Sequence, residues 1–95
     1  MTLKTKPIAN PKMMLREEFD DWAILFDPDT AYTFGLNPIC VFIWKRLDGR
    51  HTIEDILTEL RQACRNIPAE VDQQVEAFVA DLLSQGLAGV EYQQG

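Results

Sequence analysis

The sequence predicts an α+β domain, a three-stranded antiparallel β-meander followed by three α-helices. Three observations carry this. Apolar residues alternate with a period of two before about residue 37. After it they recur at helical spacing. Turn and cap signals, Asp27-Pro28-Asp29-Thr30 and Asn37-Pro38, separate the elements.

Residues 1–11 hold two prolines and little apolar pattern, and read as a flexible or extended arm. Residues 12–87 form the domain, and residues 88–95 a short tail. The first strand is expected within residues 12–18, with Met13 and Leu15 on one parity and Met14 and Arg16 on the other. Residues 22–26, Trp-Ala-Ile-Leu-Phe, are aromatic and β-branched as strands prefer, with Trp22, Ile24 and Phe26 expected on the core face. Asp27-Pro28-Asp29-Thr30 is a turn, because proline's fixed φ suits the second turn position. In the third strand, residues 31–36, Tyr32, Phe34 and Leu36 alternate with Ala31, Thr33 and Gly35.

The first helix starts at Asn37-Pro38, Asn as cap and Pro at the first helical position. It is expected to run to Leu47, with Ile39, Phe42, Ile43 and Leu47 on one side and Val41 and Trp44 broadening it. Asp48-Gly49 stops it. Thr52 caps the second helix, with Asp55 at capping-box spacing and a stripe of Ile53, Ile56, Leu57, Leu60 and Cys64. Pro68 is expected to open the third, whose stripe is Val71, Val75, Phe78, Val79, Leu82 and Leu83, and Gly86 to end it. The result resembles a winged helix in which the sheet comes first.

A chain of 95 residues, 46% hydrophobic and 25% charged, has one globular domain and one modest core. Its net charge of −6 argues against nucleic acid and anionic lipid as partners. The third helix and everything after it lack Lys and Arg, whereas a winged-helix DNA binder needs a basic recognition helix. The longest apolar run, residues 39–44, is too short to span a membrane, and no secretory signal follows Lys4 and Lys6. These features predict a soluble, cytoplasmic protein with Cys40 and Cys64 as reduced thiols.

Parts of an enzyme are hard to assemble from these residues. His51 is the only histidine, placed between Gly49 and the Thr52 cap, and reads as a turn residue at the helix start. Cys40, Cys64 and His51 could supply three zinc ligands, but both cysteines fall in apolar stripes, where inert cysteines sit. Asp27-x-Asp29 opens like a calcium loop, then fails, with Tyr32 in the glycine position and Pro38 in the glutamate position. Glu17-Glu18 and Asp20-Asp21 read as solvated carboxylates in a hairpin link. The expectation is a non-catalytic protein without metal or cofactor.

From residue 25 to residue 87 the chain resembles the PqqD-like family, also called RiPP recognition elements. Residues carrying the likeness are Leu25-Phe26-Asp27-Pro28-Asp29-Thr30, Leu36-Asn37, Ile43-Trp44, Leu47-Asp48-Gly49, Thr52-x-x-Asp55-Ile56 and Leu82-Leu83-x-x-Gly86-Leu87. The family often has glycine where Ala31 stands, and a bulky or basic residue in place of Gly35. Pro38-Ile39-Cys40 stands where small or polar residues are usual.

The resemblance implies a module that binds the leader of a ribosomally made precursor peptide and presents it to a modifying enzyme, often a radical S-adenosylmethionine enzyme. It implies that the leader adds as a strand to the third strand, beside the third helix. The contact residues would be Ala31, Tyr32, Thr33, Phe34, Gly35 and Leu36, with Val75, Phe78, Val79 and Leu82 of the helix. Independently, a meander offers two unpaired edges, its first and third strands. Competing expectations are a winged-helix-like DNA binder and a small dimerising accessory subunit.

Overall fold

A computed structural model describes residues 4–64, 67 and 69–90. Its elements are β1 (Pro7–Ala9), β2 (Met14–Glu17), β3 (Ala23–Phe26), β4 (Thr33–Leu36), α1 (Pro38–Trp44), α2 (Ile53–Ala63), α3 (Val71–Ser84) and β5 (Ala88–Val90). The meander orders β2-β3-β4, every pair antiparallel. A second sheet pairs β1 with β5.

Hydrophobic packing sets the arrangement. Ala23, Leu25 and Leu36 of the meander are buried with Ile43, Ile53, Ile56, Leu60, Val75, Val79 and Leu82 of the helices in one cluster. The helices therefore cover one face of the sheet. Asn37 Oδ1 accepts from the Cys40 N–H at 2.8 Å, capping α1. α2 has the expected capping box, Asp55 N–H donating to Thr52 Oγ1 at 2.9 Å and Thr52 N–H to Asp55 Oδ2 at 3.0 Å. Gly86 ends α3 at φ +75, a conformation glycine adopts without strain. The expected opening of this helix at Pro68 lies outside the described residues.

The parity expected for residues 22–26 is reversed. Ala23 and Leu25 are buried, whereas Trp22 is 52% exposed and Ile24 and Phe26 are half-buried on the opposite face. Both parities are apolar, so alternation could not choose between them. The choice comes from register, which pairs Leu25 with Phe34 and Ala23 with Leu36 beneath the helices.

α1 is also shorter than expected. It ends at Trp44 and continues to Leu47 in tighter turns, with Arg46 N–H donating to Ile43 C=O and Leu47 N–H to Trp44 C=O. Val41, Ile43, Trp44 and Leu47 are buried, while Ile39 and Phe42 are only half-buried. The buried side is rotated away from the one expected.

The expected arm and tail meet. Pro7 lies opposite Val90, Ile8 opposite Gly89 and Ala9 opposite Ala88. The other edge of β1 is held by the link between α1 and α2. Ala9 N–H donates to Leu47 C=O at 2.8 Å, Gly49 N–H to Pro7 C=O at 3.1 Å, and Ile8 bridges Asp48. Strands of three residues give little sequence signal, and their partners lie some eighty residues apart.

Two tight turns carry backbone strain. The β2–β3 hairpin puts Asp20 and Asp21 at φ 56 and 64, the twist-compatible geometry that favours Asn-Gly. Ala31 stands at φ 61, a position where an L-residue costs about 1–2 kcal/mol relative to ordinary backbone. Glycine would relieve it.

Candidate functional site

The outer edge of β4 has no strand partner among the described residues. Which of its groups point outward follows from register. Asp27 N–H donates to Tyr32 C=O at 3.0 Å, making residues 27 and 32 a hydrogen-bonded pair. Bonded and non-bonded pairs alternate along antiparallel strands. Leu25–Phe34 and Ala23–Leu36 are therefore bonded, and Phe26–Thr33 and Ile24–Gly35 are not. Thr33 and Gly35 turn their N–H and C=O groups away from β3. The bond from Glu18 N–H to Trp22 C=O, 2.8 Å, gives the same phase on the β2 side, where Ile24 and Phe26 face β2.

One end of this edge is fixed to α3. Tyr32 Oη lies 3.2 Å from Gln85 Oε1, and Gln85 Nε2 donates to Asp81 Oδ2 at 2.9 Å. A cleft of about 550 Å³ opens beside Asp27, Thr30, Tyr32, Gln85 and Leu87. Tyr32, which leads into β4, lines this cleft, and the outward N–H and C=O groups of Thr33 and Gly35 have no partner among the described residues.

Of the residues expected at this site, Thr33, Phe34, Gly35 and Leu36 form the strand. Ala31 belongs to the preceding turn, where its N–H donates to Asp27 C=O at 2.8 Å. Tyr32 precedes the strand and is 49% exposed. Leu36 is fully buried and Phe34 half-buried. On α3, Val75, Val79 and Leu82 have no exposed surface and serve the core, while Phe78 is partly exposed. Gln85 and Asp81 escaped the sequence reading, since nothing in a pattern links Tyr32 to a glutamine 53 residues later.

His51 has a defined structural role. Its Nδ1 lies 3.0 Å from Asp48 Oδ2 and its Nε2 2.9 Å from Glu59 Oε2, tying the α1–α2 link to the middle of α2. Arg46 Nε reaches Glu59 Oε1 at 3.3 Å and its guanidinium covers the Phe42 ring. The hydrogen bond to Asp48 raises the imidazole above its ordinary 6.5, and the same bond holds Asp48 down at about 2. A raised histidine stabilises the fold below about pH 6.5, and that contribution is lost as pH rises through the higher folded value. Stability at pH 6 should exceed that at pH 8.5 by about 0.5–1 kcal/mol, discounted for partial exposure. Thermal melts of the chain and of His51→Gln check this, because the variant should lose the pH difference.

Cys40 and Cys64 are half-buried and form no disulfide, and burial pushes the Cys40 thiol up, away from reactivity. Among the described residues no group of three or more His, Cys, Asp or Glu side chains could hold a metal ion. No helix there is long and apolar enough to cross a membrane.

The chain is a small α+β domain whose three-stranded sheet leaves the outer edge of β4 unpaired among the described residues. Its fold matches that of a solved structure described as TbiB1 in complex with the TbiA(beta) leader peptide. That match has a TM-score of 0.68 and 19% identity, covering 93% of this chain and 99% of that one. The model of the coenzyme PQQ synthesis protein D (PqqD) family matches residues 23–88, and the chain belongs to that family. No match was found among curated proteins.

Proposed function

We propose that this chain is a non-catalytic module that binds the leader of a ribosomally made precursor peptide by strand addition to β4. It then presents the peptide to a modifying enzyme of the radical S-adenosylmethionine type. The carrying observation is the open β4 edge, with Thr33 and Gly35 turned outward beside a cleft. Family membership supports it, and so does a shared fold with a protein solved with a leader peptide on it. The other open edge, β2, is the competing candidate, and family membership favours β4 over it.

Backbone pairing alone is too little. Ordering a flexible peptide costs about 2–5 kcal/mol. Four or five hydrogen bonds, each about 0.5–1.5 kcal/mol net, only roughly offset this. Apolar leader side chains must therefore bury against Phe34, Phe78 and the Tyr32–Gln85 cleft to reach micromolar affinity, about −8 kcal/mol.

Amide hydrogen exchange of the labelled protein with its cognate leader tests the reading. Thr33 and Gly35 amides should exchange quickly in the free chain and become protected at least tenfold on binding. Phe34 and Leu36, already bonded to β3, should change little. Protection along residues 14–17 instead would put the leader on β2.

A further inference from the structure

We infer that the outer face of the three-stranded sheet is the surface on which a basic partner protein docks, and, resting on the function proposed above, that this partner is the peptide-modifying enzyme. The register puts Met14, Trp22, Ile24 and Phe26 on the side away from the helices. Ile24 and Phe26 are half-buried at its centre, and Met14 and Trp22 are exposed beside them. Met14 is 51% and Trp22 52% exposed, and the neighbouring Phe19 at the hairpin tip is 77% exposed. Isolated exposed apolar residues are ordinary, but a contiguous set on one sheet face marks an interaction surface.

Charge selects the occupant. Asp20 and Asp21 stand at one end of this face and Asp27 and Asp29 at the other. On the face, Glu18 pairs with Arg16 at 3.8 Å. On the helix side Lys45 pairs with Glu17 of β2, and Lys45 and Arg46 line a pocket together with Asp21, which leaves Asp20, Asp27 and Asp29 as the rim carboxylates without an ion pair among the described residues. A second copy would set acidic rim against acidic rim, between chains that each carry −6. Nucleic acid and anionic lipid are repelled in the same way. A protein surface with Lys or Arg around an apolar centre fits both the centre and the rim.

The face is also continuous with the proposed leader site. Thr33 and Gly35 lie on it, and Gly35 projects no side chain over its neighbour Ile24. Leader residues opposite Thr33 and Gly35 would send their side chains out on this same side. An enzyme seated there would touch carrier and leader together, so leader binding should tighten the enzyme's hold.

The test measures affinity of the purified modifying enzyme for the immobilised chain, and separately the affinity of the leader. Two variants probe the face, Met14→Ser with Trp22→Ser, and Asp20→Asn with Asp29→Asn. All four side chains are exposed, and Asn tolerates the Asp20 backbone. Each double variant should weaken enzyme binding at least tenfold and leave leader affinity within about twofold. Binding by the parent chain should also fall steeply with salt. Enzyme binding by either variant within about twofold of the parent's, no binding by the parent chain, or a dimer in sedimentation that the same substitutions dissociate would each overturn the inference. Loss of leader binding to the parent chain would instead sink the function proposed above.

Discussion

Thr33→Pro should leave the domain folded and weaken leader binding ten- to hundredfold, whereas Phe34→Pro should unfold it. The difference comes from phase along one edge strand. The Thr33 N–H points away from β3, so a proline ring there costs the sheet no ladder bond, and prolines are tolerated on edges for that reason. For an added strand the same ring removes one donor and occupies the space a partner carbonyl must enter. Losing that bond and leaving the partner carbonyl unpaired costs roughly 1–3 kcal/mol. At Phe34 the lost donor is the one that bonds Leu25, at the centre of the meander. Circular dichroism should report native helix content for Thr33→Pro and loss of it for Phe34→Pro, with calorimetric titration of the leader as the second measurement. Normal leader affinity in a folded Thr33→Pro chain would remove β4 as the docking edge.

Gly49→Ala should be the most damaging single methyl in the domain. Gly49 sits at φ +77, where a side chain is strained by about 1–2 kcal/mol. Its added Cβ would lie 2.8 Å from both Cγ1 and Cδ1 of Ile8, inside van der Waals contact. Both are side-chain atoms of half-buried Ile8, whose backbone is held in β1 between β5 and the link after α1, so relief must come from a change of the Ile8 rotamer. Strain and overpacking together should cost about 2–4 kcal/mol. In a domain of this size that lowers the melting temperature by about 10–25 °C. Ile8→Ala in the same chain should recover the steric part and leave the dihedral part, so the double variant should be more stable than the sum of singles implies. Strict additivity in thermal melts would show that the contact does not matter.

What was legible in the sequence depended on how local the signal was. The caps at Asn37 and Thr52, the stripe of α2 from Ile53 to Leu60 and the stop at Gly86 are written in residues three or four apart and stand as read, while Cys64, expected in that stripe, falls just past the helix in extended backbone. The face of β3 was not legible, because Trp22, Ile24 and Phe26 compete with Ala23 and Leu25 and only the helices' position decides. The β1–β5 pairing and the Tyr32–Gln85 contact join distant positions through single short elements, which leave no periodicity to detect. Of the candidate contacts, Thr33 to Leu36 lie in β4, and Ala31 and Tyr32 precede it. On the helix, an apolar stripe does not reveal which members reach the surface: Val75, Val79 and Leu82 are fully buried and Phe78 is half-buried.

The β1–β5 ribbon also bears on engineering. With Pro7 across from Val90, the two ends of the domain leave from one spot. A domain with that geometry tolerates circular permutation, the old ends joined by a short linker and new ones cut at the Asp20-Asp21 hairpin tip. It also suits grafting as a cassette into a loop of a larger host protein. The two entering chains would run through the ribbon like a stem and leave the β4 edge uncommitted.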